Sequence, residues 1–419
     1  MSVLLRPLTL ALLVSVAAAC GDDLDSPGAD AGPPGGGDAG PDGGGPGATC
    51  ETQLAAASLE GGAWDTRFSV AGFTGHDGIA PNVHDFAIDT DGSLIAAGTF
   101  QYFGGERVPP LMRLRDGAWE PARTSWELPP PPAGFGAVAV SDDGVLALAT
   151  ADDFGERNGE IWIDDGSGLR SIGAFDGQVR TLAWYGGRLW VAGTFAMEDA
   201  TIIGLAAWDG TGWSAAPGGP IDGFAFELLR DGDELLVGGE FTTVGGVEAA
   251  AVAAYDGAAW RALDLPGARV YALVRGEDGE LYAGGALGAL EPGTGGIARW
   301  DGSAWQPVGG GLAMYGWPGV VTDLVALDGS VHATGCFNSA GGAPDSEQAT
   351  PAIGSLARWD GATWHSYPGD DAPVRAPWFH PFVCGDEGPT AIFDVAMQRL
   401  AVSGDRLLVG GALPGAGGV

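Results

Sequence analysis

The side chains best suited to chemistry in this chain are few, and they are mainly thiols and imidazoles. Cys20 follows Ala17-Ala18-Ala19, which closes an apolar run that begins at Leu8 with Arg6 ahead of it. A basic start, an apolar core and a small-residue cleavage site read as an export signal over residues 1–19. The run is too short to cross a bilayer as a helix. Cleavage before Cys20 would leave a thiol at a new N-terminus, and Cys50, Cys336 and Cys384 elsewhere. The histidines are His76, His84, His332, His365 and His380. None forms HExxH, and no pair has metal-ligand spacing within one element. There is no GxSxG elbow and no phosphate-cradling loop. The recurrent Asp-Gly pairs lack the dense Asp/Asn series of a calcium loop. No metal or cofactor is expected. The enzymatic alternative is a site converging from separate loops, with His76, His84 and His380 in or beside such loops.

Such residues need a scaffold, and internal repetition defines it. One pattern is an apolar strand, a tight Asp/Gly turn and a second apolar strand ending in Gly-Gly or a variant. It occurs at Leu94, Val145, Leu189, Leu235, Leu281, Val331 and Leu407. The other is a short apolar strand, Asp-Gly, and a strand opening with tryptophan. It leads to Trp119, Trp213, Trp260, Trp305 and Trp364, with a degenerate copy from Ile161. The copy missing from the end stands at the front, where Glu60-Gly61 precedes Trp64. The chain thus opens with the second half of a repeat and closes with the first half. A closed ring explains this, because pairing the halves removes the open sheet edges. The expected fold is all-β: a seven-bladed β-propeller of four-stranded blades over residues 50–419. Its seventh blade is closed by N-terminal strands at about 54–68 pairing with C-terminal strands at about 391–412. Asp-Gly and Gly-Gly are expected in two-residue hairpin turns. The repeat tryptophans are expected between blades.

The order of these patterns resembles the kelch repeat and the central propeller of galactose oxidase. The copper site of that oxidase does not map residue by residue onto this chain, so its activity does not carry over. The Ala-Ala-Ala-Cys20 junction resembles the lipobox of bacterial lipoproteins, with Ala17 where that family usually has leucine. The resemblance implies that Cys20 is diacylated and tethers the protein to the membrane. Ordinary secretion, cut at the same bond, is the alternative.

Strand order sorts the connections onto two faces. With strands a to d counted outward from the axis, the a–b and c–d turns share one face. The b–c loops and d-to-a connections share the other. The long insertions, Ser69–Asn82, Phe100–Pro110, Thr124–Gly134, Asn338–Ile353 and Pro368–Thr390, all fall on the second face. Loops on a rigid scaffold are where function concentrates. Of the 15 tryptophans, Trp126, Trp317 and Trp378 lie outside the repeat register, in d-to-a connections. Tyr315, Phe379 and His380 accompany them, and Tyr102 and Phe103 lie in a b–c loop of the same face. Together they form a candidate recognition surface for a protein or glycan. The competing reading folds them inward as packing. Cys336, Cys384 and Cys50 belong to this face too. Cys336–Cys384 is the first choice of disulfide, with Cys50–Cys384 the alternative, in an oxidising envelope.

The net charge is −35, and all 19 basic residues are arginine. Nucleic acid and anionic lipid both need a basic face, so neither is an expected partner. Residues 20–49 are rich in Gly, Pro and Asp and cannot bury enough surface to order themselves. As a coil their ends lie roughly 30 Å apart. A lipid chain on Cys20 would anchor at about 0.8 kcal/mol per buried CH₂. The expectation is an exported monomer, an outer-membrane lipoprotein acting as a binding module. A propeller enzyme and a structural envelope protein remain the alternatives.

Overall fold

The computed structural model describes residues 11–12, 73–74, 83–103, 106–122, 134–151, 159–196, 202–287, 295–314, 317–341, 356–365 and 399–410. No helix occurs among them. Sheet 1 contains Val83–Ile88, Leu94–Gly98, Leu111–Arg115 and Ala118–Pro121. Sheet 2 contains Gly134–Val140, Leu146–Ala151, Gly159–Asp164 and the first half of Leu169–Tyr185. The second half of that long strand opens sheet 3, followed by Arg188–Ala196, Ile203–Trp208 and Trp213–Ala215. Sheet 4 contains Phe224–Asp231, Glu234–Glu240, Val252–Tyr255 and Trp260–Ala262. Sheet 5 contains Arg269–Arg275, Leu281–Ala286, Ile297–Trp300 and Trp305–Pro307. Sheet 6 contains Val320–Leu327, Ser330–Cys336, Leu356–Trp359 and Trp364–His365. Sheet 7 pairs Arg399–Ser403 with Arg406–Gly410.

Within each of these sheets the strands run antiparallel in chain order. The first strands of successive sheets pack against one another from sheet 1 to sheet 7. Arg399–Ser403 then packs against Val83–Ile88, so the inner strands form a closed cycle. This is the architecture of a β-propeller. The apolar clusters lie between sheets. Ala401 and Leu408 of sheet 7 share one with Val83, Leu94 and Met112 of sheet 1.

The Gly-Gly that ends the second strand has two separate causes. A Cβ on Gly284 would stand 2.5 Å from Val321 Cγ1 of the next sheet, so this glycine admits a neighbouring side chain. A Cβ on Gly285 would stand 1.9 Å from the Arg269 carbonyl oxygen of its own sheet. That second glycine sits across a β-bulge, where the register shifts between Val270 and Ala272. A bulge lets two residues of one strand oppose one of its partner. The inner strands of sheets 1, 3, 4 and 6 carry the same shift, at Val83/Asp85, Val179/Thr181, Ala225/Glu227 and Val321/Asp323.

The tryptophans that open the fourth strands join neighbouring sheets, as expected. The indole N–H of Trp213 donates to Ile172 O at 2.8 Å, and that of Trp260 to Pro217 O at 2.9 Å. Trp305 donates to Leu263 O at 2.5 Å and Trp364 to Val308 O at 3.2 Å. Each acceptor lies in or just after the outer strand of the preceding sheet. Cross-strand aromatic pairs close the same hairpins, Trp300 with Trp305 and Trp359 with Trp364, both with ring centroids 5.4 Å apart.

One expectation needs correction. The Asp-Gly turns of sheets 3 to 6 are four-residue loops, because Trp208 pairs with Trp213 and Tyr255 with Trp260. The aspartate holds the loop by accepting N–H groups: Asp301 Oδ1 takes Ser303 N at 2.9 Å and Ala304 N at 2.8 Å. Gly302 alone supplies the positive φ, at 98°. Two-residue turns of the expected kind occur at Asp116-Gly117 and Gly186-Gly187. At the edge of sheet 7, Ala11–Leu12 runs parallel to Leu408–Val409. Residues 54–68, 391–398 and 411–412 themselves lie outside the described residues.

Candidate functional site

The bulges determine what surrounds the axis near the face that carries the b–c loops. Each one adds a residue to an inner strand just after the chain enters it from a d-to-a connection. The added residues of sheets 3, 4 and 5 are Arg180, Phe226 and Tyr271. They stack in series. The Arg180 guanidinium lies 5.4 Å from the Phe226 ring centroid, and the Phe226 and Tyr271 rings are 5.2 Å apart. All three side chains are buried. In sheet 1 the added residue is His84, also buried, with Nε2 3.5 Å from Thr99 Oγ1. In sheet 6 it is Thr322, whose hydroxyl donates to Thr334 O at 3.2 Å.

The residues after the bulges of sheets 1, 4 and 6 are Asp85, Glu227 and Asp323, and here the charged groups gather. Asp85 Oδ2 of sheet 1 accepts Val138 N of sheet 2 at 2.9 Å. Asp323 of sheet 6 accepts its neighbour Leu324 N at 2.8 Å and Leu400 N of sheet 7 at 2.7 Å. Among the described residues, no strand lies beside the axial edge of an inner strand. Carboxylates that reach across to that edge supply the partners its N–H groups need. Arg399 occupies the equivalent position of sheet 7, since it pairs with Gly410 as Glu227 pairs with Gly238. Its Nη1 reaches toward Glu227 Oε2 of sheet 4 at 3.6 Å. Burial pushes the Glu227 carboxyl up to about 8, against the opposing pull of Arg399. Burial likewise pushes Asp323 up to about 6, with Arg399 and two backbone N–H groups drawing it the other way. No group of His, Cys, Asp and Glu able to hold a metal occurs among the described residues.

The loop face itself carries three small accessory sheets. Leu312–Met314 lies between Trp317–Pro318 and Ser339–Ala340. Tyr102–Phe103 lies between Phe73–Thr74 and Glu106–Arg107. Thr243–Val244 forms a hairpin with Val247–Glu248. All these segments are b–c loops or d-to-a connections, so strand direction puts them on one face. Trp317 stands out from this face with 75% of its surface exposed. Tyr102 and Phe103 are half-buried, and Phe103 packs against the cluster shared by sheets 7 and 1. The inward and outward readings of the aromatic cluster therefore each hold for different members. Trp126, Tyr315, Trp378, Phe379 and His380 lie outside the described residues, as do Cys20, Cys50, Cys384 and His76.

Cys336 ends the second strand of sheet 6, buried and disulfide-bonded. His84, beside the loop face as expected from its position, is buried. His332 is fully buried, and its Nε2 lies 3.3 Å from Leu327 O. His365 Nε2 lies 2.6 Å from Asp360 Oδ2 beside a turn of the opposite face.

Sequence reasoning missed the axial group of Asp85, Glu227, Asp323 and Arg399. One signal was present. Aligning the inner strands as VHDFAI, VRTLAW, AFELLR, VTDLVA and MQRLAV puts a polar or charged residue third in these five, while Ala137 and Ala272 stand there in sheets 2 and 5.

These features define a β-propeller with a charged axis and one decorated face. No protein-family model matches the sequence, and no curated protein matches it. The chain is similar in structure to the GH74 xyloglucanase from Xanthomonas campestris, at 17% identity and TM-score 0.49, covering 79% of this chain and 51% of that one. It is also similar to the extracellular domain of a hybrid two-component system from B. thetaiotaomicron, at 13% identity and TM-score 0.47 over 82% of this chain. The chain spans only 39% of that domain. A third similar structure is YCF48 from Cyanidioschyzon merolae, at 13% identity and TM-score 0.44, covering 80% of this chain and 94% of that one.

Proposed function

We propose that this chain is an exported, lipid-anchored, seven-bladed propeller of the kelch-like kind, which binds a glycan or protein partner on its b–c loop face. The observation that carries the binding reading is Trp317. It is a large aromatic, 75% exposed, on an edge strand paired with Leu312–Met314. An exposed indole held by a sheet gives contact area with little ordering cost on binding. The axial carboxylates Asp85 and Asp323 are engaged with backbone N–H groups, which favours a binding module over an enzyme working at the axis. Cys20, after its small-residue junction, is the proposed site of acylation, and residues 20–49 the proposed tether. Cys336–Cys384 is the proposed disulfide. The bonded state of Cys336 favours it over Cys50–Cys384.

Two measurements test this reading. Binding of the purified protein to arrays of cell-surface polysaccharide and to envelope extracts should fall at least tenfold in Trp317→Ala. It should not change in Ile88→Ala, which alters an exposed residue at the opposite face. Equal binding by both variants would overturn the assignment of the face. Metabolic palmitate should label the wild type and not Cys20→Ser. Label that survives the substitution would refute the anchor.

A further inference from the structure

Among the described residues three large apolar side chains are exposed, and two of them share the loop face. Phe224, 37% exposed, opens the inner strand of sheet 4, where it pairs with Glu240. Trp317, 75% exposed, stands three residues before the inner strand of sheet 6. A single exposed ring needs no explanation. These two, however, flank sheet 5, whose inner strand packs between those of sheets 4 and 6 and opens with Arg269. Arg269 Nε lies 2.7 Å from Glu240 Oε2 of sheet 4, and both side chains are partly exposed. Two residues further into the same strands, the buried Phe226 and Tyr271 rings lie 5.2 Å apart. Phe224 and Arg269 therefore stand on a packed layer, which lowers the cost of ordering them on binding.

We propose that Phe224, Trp317 and the Glu240–Arg269 pair form a binding surface for a neutral glycan. This rests on the reading of the loop face as a binding surface and names its ligand class. Aromatic ring faces carry negative charge density and attract the C–H groups that line one side of a pyranose ring. The ion pair between the two rings cancels its own charge but still presents polar atoms, and sugar hydroxyls can donate to and accept from such groups. The net charge of −35 disfavours sulfated and uronic-acid chains.

Pro318 argues against the other class of partner, a peptide that adds itself as a strand. Among the described residues Trp317–Pro318 is an edge strand, paired with Leu312–Met314 alone. Proline has no N–H to offer an incoming strand. A two-residue edge that lacks one of its donors gives an extended peptide little to hold. What this edge does present is the face of an indole.

Native electrophoresis of the purified protein through gels loaded with soluble polysaccharide tests it. Glucan, xylan, mannan and galactan chains are the neutral probes, and polygalacturonate and heparin the acidic ones. At least one neutral chain should retard the protein, equally at low and high salt. Phe224→Ala and Trp317→Ala should each weaken that affinity at least tenfold. Phe224→Tyr, which keeps the ring, should retain it, and so should Ile88→Ala on the opposite face. Retardation by acidic chains alone, or by no chain, would overturn the glycan assignment. A protein partner captured through Trp317 in that case would leave the loop face as the binding surface and show that its ligand class was wrong. Neutral-chain affinity that survives Phe224→Ala would overturn the surface itself.

Discussion

The indole N–H of Trp260 in sheet 4 donates to the carbonyl oxygen of Pro217, which follows the outer strand of sheet 3, at 2.9 Å. The same bond joins Trp305 to Leu263 and Trp364 to Val308. The acceptor stands three or four residues after the preceding repeat's tryptophan. Trp260→Phe keeps most of the buried ring but removes the donor to the Pro217 carbonyl, a part-buried bond. The expected cost is about 1 kcal/mol, measured by denaturant unfolding. A loss below ~0.5 kcal/mol would show that the bond is incidental.

The two glycines that end the second strand of sheet 5 should respond differently to alanine. In Gly284→Ala the new methyl meets Val321 Cγ1 at 2.5 Å, and a side chain can shift at a cost of about 1–3 kcal/mol. In Gly285→Ala it meets the Arg269 carbonyl oxygen at 1.9 Å, and the bulge must open. The second variant should therefore lose more stability than the first, as read from paired melting curves. The reverse order would contradict the bulge as the reason for that glycine.

His332 should stay neutral well below the usual imidazole midpoint. Burial pulls it down to about 4, although Leu327 O favours the proton. The folded value lies below the unfolded one, so the unfolded chain binds the proton first as pH falls. Its contribution to stability is present above about 6.5 and is lost between there and about 4. An NMR titration should show the His332 ring unchanged from pH 7 to pH 5. A midpoint near 6.5 would contradict its burial.

The fold was legible because the repeat is dense in residues with one conformational use. Asp-Gly before tryptophan marks a hairpin, and such units repeated in register imply a ring. Even so, the type of turn was misread. Asp301 accepts two N–H groups within its own loop, and composition cannot separate that loop from a two-residue turn. The axial group was invisible for a different reason. Asp85, Glu227, Asp323 and Arg399 come from four sheets, and they converge only once a bulge in strand after strand turns the next residue toward the axis. Nothing in the sequence distinguishes Trp317, which is exposed, from Phe103, which packs inward, because both lie in loops of one face. That difference depends on which accessory strand each occupies.

The proposal that both chain ends close the ring puts residues 54–68 in one sheet with Arg406–Gly410. Hydrogen exchange at pH 6 on the chain beginning at Cys20 tests it most directly. Amides of residues 54–68 should be protected to within about tenfold of those of 406–410, as strands of one sheet. Exchange of 54–68 at the rate of an unstructured peptide, with 406–410 protected, would contradict it.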